Sequence, residues 1–87
     1  MKVLVKYSGI LAEIAGLEYE YVEIPDNSTI TTLLEAISRR NTNLGNWIKL
    51  LPLLHVYVND VEVTGLSEYR LKEGDKVVLM TPLYEGG

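Results

Sequence analysis

A chain of 87 residues has room for one small domain, and at that size folding hides only about 60–65% of the unfolded surface. The absence of cysteine excludes disulfides, thiolate metal sites, a cysteine nucleophile and an iron–sulfur cluster, and the single histidine, His55, excludes a two-histidine metal site. A hydrophobic share of 47% is too high for a disordered chain, and eight basic against twelve acidic residues, net −4, argue against nucleic acid as the main partner.

Residues 2–7 (KVLVKY) alternate, with Val3, Val5 and Tyr7 on one face and Lys2, Leu4 and Lys6 on the other, which predicts a strand. Residues 8–16 (SGILAEIAG) hold Ile10, Leu11 and Ile14, enough for a short helical turn closed by Gly16. A second strand is predicted over 18–24, stopped at Pro25-Asp26-Asn27. Its phase is imperfect, because Val22 and Ile24 share a face with Glu18 and Glu20; a bulge or an edge position reconciles this, and Pro25 favours an edge.

The strongest helical pattern is 29–40, where Ile30, Leu33, Leu34 and Ile37 form one stripe at i, i+3, i+4, i+7. Ser28 or Thr29 is placed to cap it, and Arg39-Arg40 suit its carbonyl end. Asn41, Asn43 and Gly45 are expected to interrupt the helix, after which Leu44, Trp47, Ile48 and Leu51 repeat the spacing up to Pro52. Residues 55–58 and 61–63 flank Asn59-Asp60, a pair suited to a tight hairpin turn. A one-turn segment over 66–71 and a turn at Gly74-Asp75 lead into a last strand, 76–80, ended by Pro82.

Strand, strand, helix, then three strands predicts an α+β fold of β-grasp type: a mixed five-stranded sheet with one main helix across one face. The first and last strands become central, parallel neighbours. The predicted organisation is one domain over 1–81 and a flexible tail over 82–87 that reaches ~20 Å when extended. With no apolar run of membrane-spanning length and no secretory leader in MKVLVKYSG, the expectation is a soluble cytoplasmic protein without a membrane partner.

The candidate chemistry lies at Gly86 and Gly87. Glycines lack a Cβ, so they pass a channel too narrow for other residues. The carboxylate of Gly87, ionised at neutral pH, can attack the α-phosphate of ATP to give an acyl adenylate, from which a sulfur or amine nucleophile displaces AMP. A second candidate is the open sheet face: Leu4, Tyr57, Val78 and Met80 point away from the predicted core, flanked by Lys2, Lys6, His55 and Lys76, in the manner of a partner surface. His55 is expected to be a strand residue without a fixed acidic partner, and Trp47 to fill core. Glu18, Glu20 and Glu23 are expected to be solvated charges rather than metal ligands, and the scattered glycines to mark turns.

The whole chain resembles the MoaD family, the small subunit of molybdopterin synthase, and by fold the sulfur carrier ThiS and the Urm-type ubiquitin-like modifiers. The matching pieces are KVLVKY, LAEIAG at 11–16, the helix start after PDNST, VYVND at 56–60 and LKEGDKVVLM at 71–80 before the final Gly-Gly. The resemblance implies that the protein has no active site of its own and binds no cofactor or metal. A MoeB-like activating enzyme would use ATP to adenylate Gly87, which then becomes a thiocarboxylate. A MoaE-like large synthase subunit would receive the tail, with Gly86 giving passage and Leu83 and Tyr84 extending the partner surface. Lysines of target proteins are the acceptors if the chain is a modifier. The family tail usually carries two prolines, a valine and a small residue before the glycines, whereas this one reads Thr81-Pro82-Leu83-Tyr84-Glu85.

Overall fold

In the computed structural model, which describes residues 1–50 and 54–81, the alternation of the first segment is realised as β1 (Lys2–Tyr7), with Val3, Val5 and Tyr7 fully enclosed. A six-residue helix, α1 (Ile10–Ala15), follows and inserts Leu11 into the core. It stops at Gly16, whose φ of 77° lies in the left-handed region that closes helices and suits glycine.

The chain returns as β2 (Tyr19–Glu23), antiparallel to β1 in an unbroken register from Lys2 opposite Glu23 to Lys6 opposite Tyr19. Of the two ways to reconcile its phase, the edge position is the one adopted. The misplaced carboxylate has a structural purpose. Glu20 accepts a hydrogen bond from the Tyr7 hydroxyl and pairs with Arg40 at 3.2 Å, so it is not a solvated charge. Burial, and then the neighbouring Glu20 carboxylate, push the Tyr7 phenol well above its ordinary range.

Helix α2 (Ile30–Arg40) begins at Thr29, whose Oγ1 accepts from the Thr32 amide at 3.3 Å; Ser28 instead donates to the Pro25 carbonyl. Ile30, Leu33 and Ile37 are buried and Leu34 is half-buried. Only Asn41 interrupts the helical path. Its extended backbone ends α2, and its Oδ1 accepts from the Leu44 amide at 3.0 Å, so one residue caps the next helix, α3 (Thr42–Leu50).

Asn43 and Gly45 therefore lie inside α3, contrary to their expected role as breakers. Gly45 is buried, and a Cβ there would sit 2.7 Å from Ser38 Cβ. It is a packing glycine that lets α3 close on α2. Leu44 and Ile48 join the core while Trp47 is half-buried; Leu51 and Pro52 lie outside the described residues.

The remaining strands are β3 (His55–Val58), β4 (Val61–Val63) and β5 (Lys76–Met80). Asn59 and Asp60 take φ values of 49° and 73° in the two-residue hairpin turn between β3 and β4. That turn is pinned to the start of β5: Asp75 accepts from Asn59 Nδ2 at 2.9 Å and from the Lys72 amide at 2.8 Å, and the Lys76 amide donates to Asn59 Oδ1 at 3.0 Å. Among the described residues the sheet order is β2-β1-β5-β3-β4, with β1 and β5 parallel and every other pair antiparallel. This is the β-grasp arrangement. Val3, Val5, Val56, Val58, Val77 and Leu79 line the covered face and share one core with Ile30, Leu33, Ile37 and Leu44.

Candidate functional site

The strand registers place the four predicted open-face residues together. Lys6 lies opposite Val78 on β5, Val78 opposite Tyr57 on β3, and Leu4 opposite Lys76. Met80 follows Val78 two residues along the same strand, opposite His55. Val78 is the centre: Tyr57 is its direct cross-strand neighbour, Met80 its neighbour along β5 and Leu4 its diagonal neighbour, all within reach of side-chain contact.

The patch is shallower than the sequence suggests. Leu4, Tyr57 and Val78 are half-buried, and among these four only Met80 counts as exposed, at 37%. The physical reason lies in the neighbours, because long side chains from adjacent rows lean over the aliphatic ones.

Each flanking cation has a partner of its own. Lys6 Nζ stands 5.5 Å from the Tyr19 ring centroid and Lys2 Nζ stands 5.9 Å from that of Tyr21. Lys76 pairs with Asp60 at 3.2 Å. His55 meets Glu62 across the hairpin at 2.5 Å, so it does have a fixed acidic partner, which the sequence reading did not assign. The contact arises because the two-residue turn brings residue 62 next to residue 57, one step diagonal from His55. Tyr19 and Tyr21 join the same face opposite Lys6 and Leu4, adding two exposed aromatics. The signal for them was available: once Val22 is fixed inward, residues 19 and 21 must point outward.

A hydroxyl, a tyrosine ring or an ammonium group can bind on such a platform. Nothing on it is arranged for bond breaking, since His55 and Glu62 face no nucleophile. Among the described residues no three of His, Asp and Glu converge on a metal-sized site, and no helix is long and apolar enough to cross a membrane.

Met80 is also the last residue of β5, and Thr81 beyond it is buried. The platform thus borders the point from which the chain continues to residue 82. The remaining site candidates, Leu83, Tyr84, Gly86 and Gly87, lie outside the described residues, as does the predicted boundary between domain and tail.

In sequence the chain matches the ThiS family over residues 5–86. Three solved structures share its fold over nearly the whole length. SAMP1 from Haloferax volcanii is 25% identical with a TM-score of 0.82, and the match covers 100% of both chains. A protein from Pyrococcus furiosus described as subunit 1 of a molybdopterin converting factor is 26% identical with a TM-score of 0.78, covering 95% of this chain and 99% of that one. A chain of the BexX/CysO complex from Amycolatopsis orientalis is 26% identical with a TM-score of 0.70, covering 97% and 99% respectively. No curated protein matches the sequence.

Proposed function

Because the chain belongs to the ThiS family, within the ubiquitin-like sulfur carriers and modifiers, we propose that it carries sulfur as a thiocarboxylate on Gly87. The observation that supports this most is the combination of a family match over residues 5–86 with a sequence that closes in Gly86-Gly87. The platform around Val78 has no catalytic constellation, which fits a protein that is the substrate of its partners.

In this reading the Gly87 carboxylate attacks the α-phosphate of ATP on a MoeB-like activating enzyme, releasing pyrophosphate and leaving an acyl adenylate. A sulfur nucleophile at the oxidation level of sulfide then attacks the acyl carbon, AMP leaves, and the thiocarboxylate remains. Gly86 gives passage into the partner's active site, and Leu4, Tyr57, Val78 and Met80, extended by Leu83 and Tyr84, form the docking surface. The acceptor proposed is a MoaE-like large subunit in molybdopterin synthesis, in line with the described role of the Pyrococcus furiosus relative; a relative also solved as a complex, BexX/CysO, supports a mode of action that requires a partner.

A second reading, a protein modifier joined through Gly87 to a lysine of a target, is favoured by the likeness to SAMP1 over the full length of both chains. The bulky, anionic Tyr84-Glu85 before the glycines points the same way.

Incubation with a cognate activating enzyme, ATP and a sulfur donor is expected to raise the intact mass by about 16 Da, oxygen replaced by sulfur at the activated carboxylate. An unchanged mass under conditions that thiolate a known carrier sinks the proposal. Covalent adducts in cells that vanish on deletion of Gly86-Gly87 separate the modifier from the carrier. Met80→Asp is expected to stay folded and to be adenylated more slowly; adenylation at the wild-type rate removes the platform from the docking surface.

A further inference from the structure

The sheet margin along β2 is open in a specific way. Met1 and Ile24 exchange both backbone hydrogen bonds, at 2.7 and 2.9 Å, and the Tyr7 amide donates to the Glu18 carbonyl at 2.8 Å. Antiparallel pairs alternate between hydrogen-bonded and non-hydrogen-bonded. In the observed register Val22 and Glu20 therefore bond inward to β1, while the N–H and C=O groups of Tyr19, Tyr21 and Glu23 point outward. Among the described residues no strand lies beyond β2. Three outward donor–acceptor pairs thus line this edge. The other edge is different: β4 has three residues, and the same alternation counted from the two-residue turn turns only Glu62 outward.

Edge strands are usually blunted by proline, a bulge or lysine on the strand. The sequence YEYVE has none of these, and its register with β1 is unbroken. Tyr19 and Tyr21 are 46% and 64% exposed, with their rings against Lys6 and Lys2. An open cavity of about 430 Å³, lined by Lys2, Tyr21, Glu23 and Arg40, runs around this margin from the open face toward α2.

Charge selects the occupant. From residue 18 to 23 the edge carries three carboxylates and no cation. Glu20 is committed to Tyr7 and Arg40, whereas Glu18 and Glu23, at the two ends, form no ion pair among the described residues. A second copy of the chain would bring carboxylates against carboxylates, which opposes self-pairing.

We propose that β2 accepts an extended basic segment of another protein as an added antiparallel strand. Register sets its pattern: a cation opposite Glu23, β-branched apolar residues opposite Tyr21 and Tyr19, and a cation opposite Glu18. Read from its own N-terminus, the segment is cation-x-Val-x-Val-cation. Backbone bonds supply the affinity and the alternate side chains the selectivity. The surface uses neither residues 82–87 nor the Val78 platform, so it stands or falls apart from the carrier reading.

The test is titration of isotope-labelled full-length protein with acetyl-Lys-Thr-Val-Thr-Val-Arg-amide at low salt, followed by amide NMR. The largest shifts and slowed amide exchange are expected at Tyr19, Tyr21 and Glu23. Reversing the end charges (Glu18→Lys with Glu23→Lys) is expected to weaken binding about tenfold or more, through loss of two pairings and gain of two repulsions. Tyr21→Pro removes an outward N–H without touching the bonds to β1, and binding should be lost. If that variant does not fold, the charge reversal decides. Equal binding of the peptide with glutamate at both cationic positions, shifts centred on Leu4, Tyr57 and Val78, or no shift at millimolar peptide each overturn the proposal.

Discussion

The two faces of the sheet are made by the same strands yet serve opposite purposes. On the covered face Val3, Val5, Val56, Val77 and Leu79 are sealed under α2 and α3 with Leu33 and Leu44. On the open face the residues between them, Leu4, Tyr57 and Val78, stay half-buried among lysines and tyrosines. A period of two residues thus writes stability on one side and recognition on the other. Substitution on the first face should cost folding, and on the second only binding.

The largest break in that contrast is expected at Leu33→Ala, which empties a fully buried site and should lower unfolding free energy by about 2–5 kcal/mol in denaturant titration. Gly45→Ala comes next. A Cβ 2.7 Å from Ser38 must push α2 and α3 apart, for a loss of about 1–3 kcal/mol, although alanine is the better helix former.

Tyr7→Phe should cost about 1.5–3 kcal/mol at neutral pH through loss of the hydrogen bond to the Glu20 carboxylate, and it sharpens the comparison through pH. The folded Tyr7 phenol is raised above its unfolded value, so its contribution is complete below about pH 10 and declines as pH rises beyond that. Of the six tyrosines one should resist ionisation in absorbance titration until the protein unfolds, and Tyr7→Phe should remove that lag. The smallest effect belongs to Met80→Asp on the open face, expected within about 0.5 kcal/mol of wild type. A loss several times larger would erase the division of labour between the faces.

Much of this was legible in the sequence because single periodicities decided it. KVLVKY announced which residues of β1 turn inward, and the stripe from Ile30 to Ile37 placed α2. The illegible parts depended on contacts between distant segments. Glu20 looks out of phase until Tyr7 and Arg40 arrive, each from another element. Gly45 reads as a helix breaker until Ser38 is seen against it. Asn43 needs no partner to be tolerated, because Asn41 has already absorbed the break and capped α3. At the candidate site the phase of β5 located Val78 and Met80 correctly, while the shielding of Leu4 and the Glu62 partner of His55 come from register, which composition does not encode.

The parallel pairing of β1 with β5 has a consequence for biosynthesis. Leu4 waits for Lys76, about 70 residues later, and closing so long a loop costs entropy before any contact rewards it. At about 5–20 residues per second, the ribosome needs several seconds to make that stretch. Through that interval the nascent hairpin of β1 and β2 holds the inner margin of β1 unpaired, and the sheet closes only when β5 emerges and takes its place at the centre.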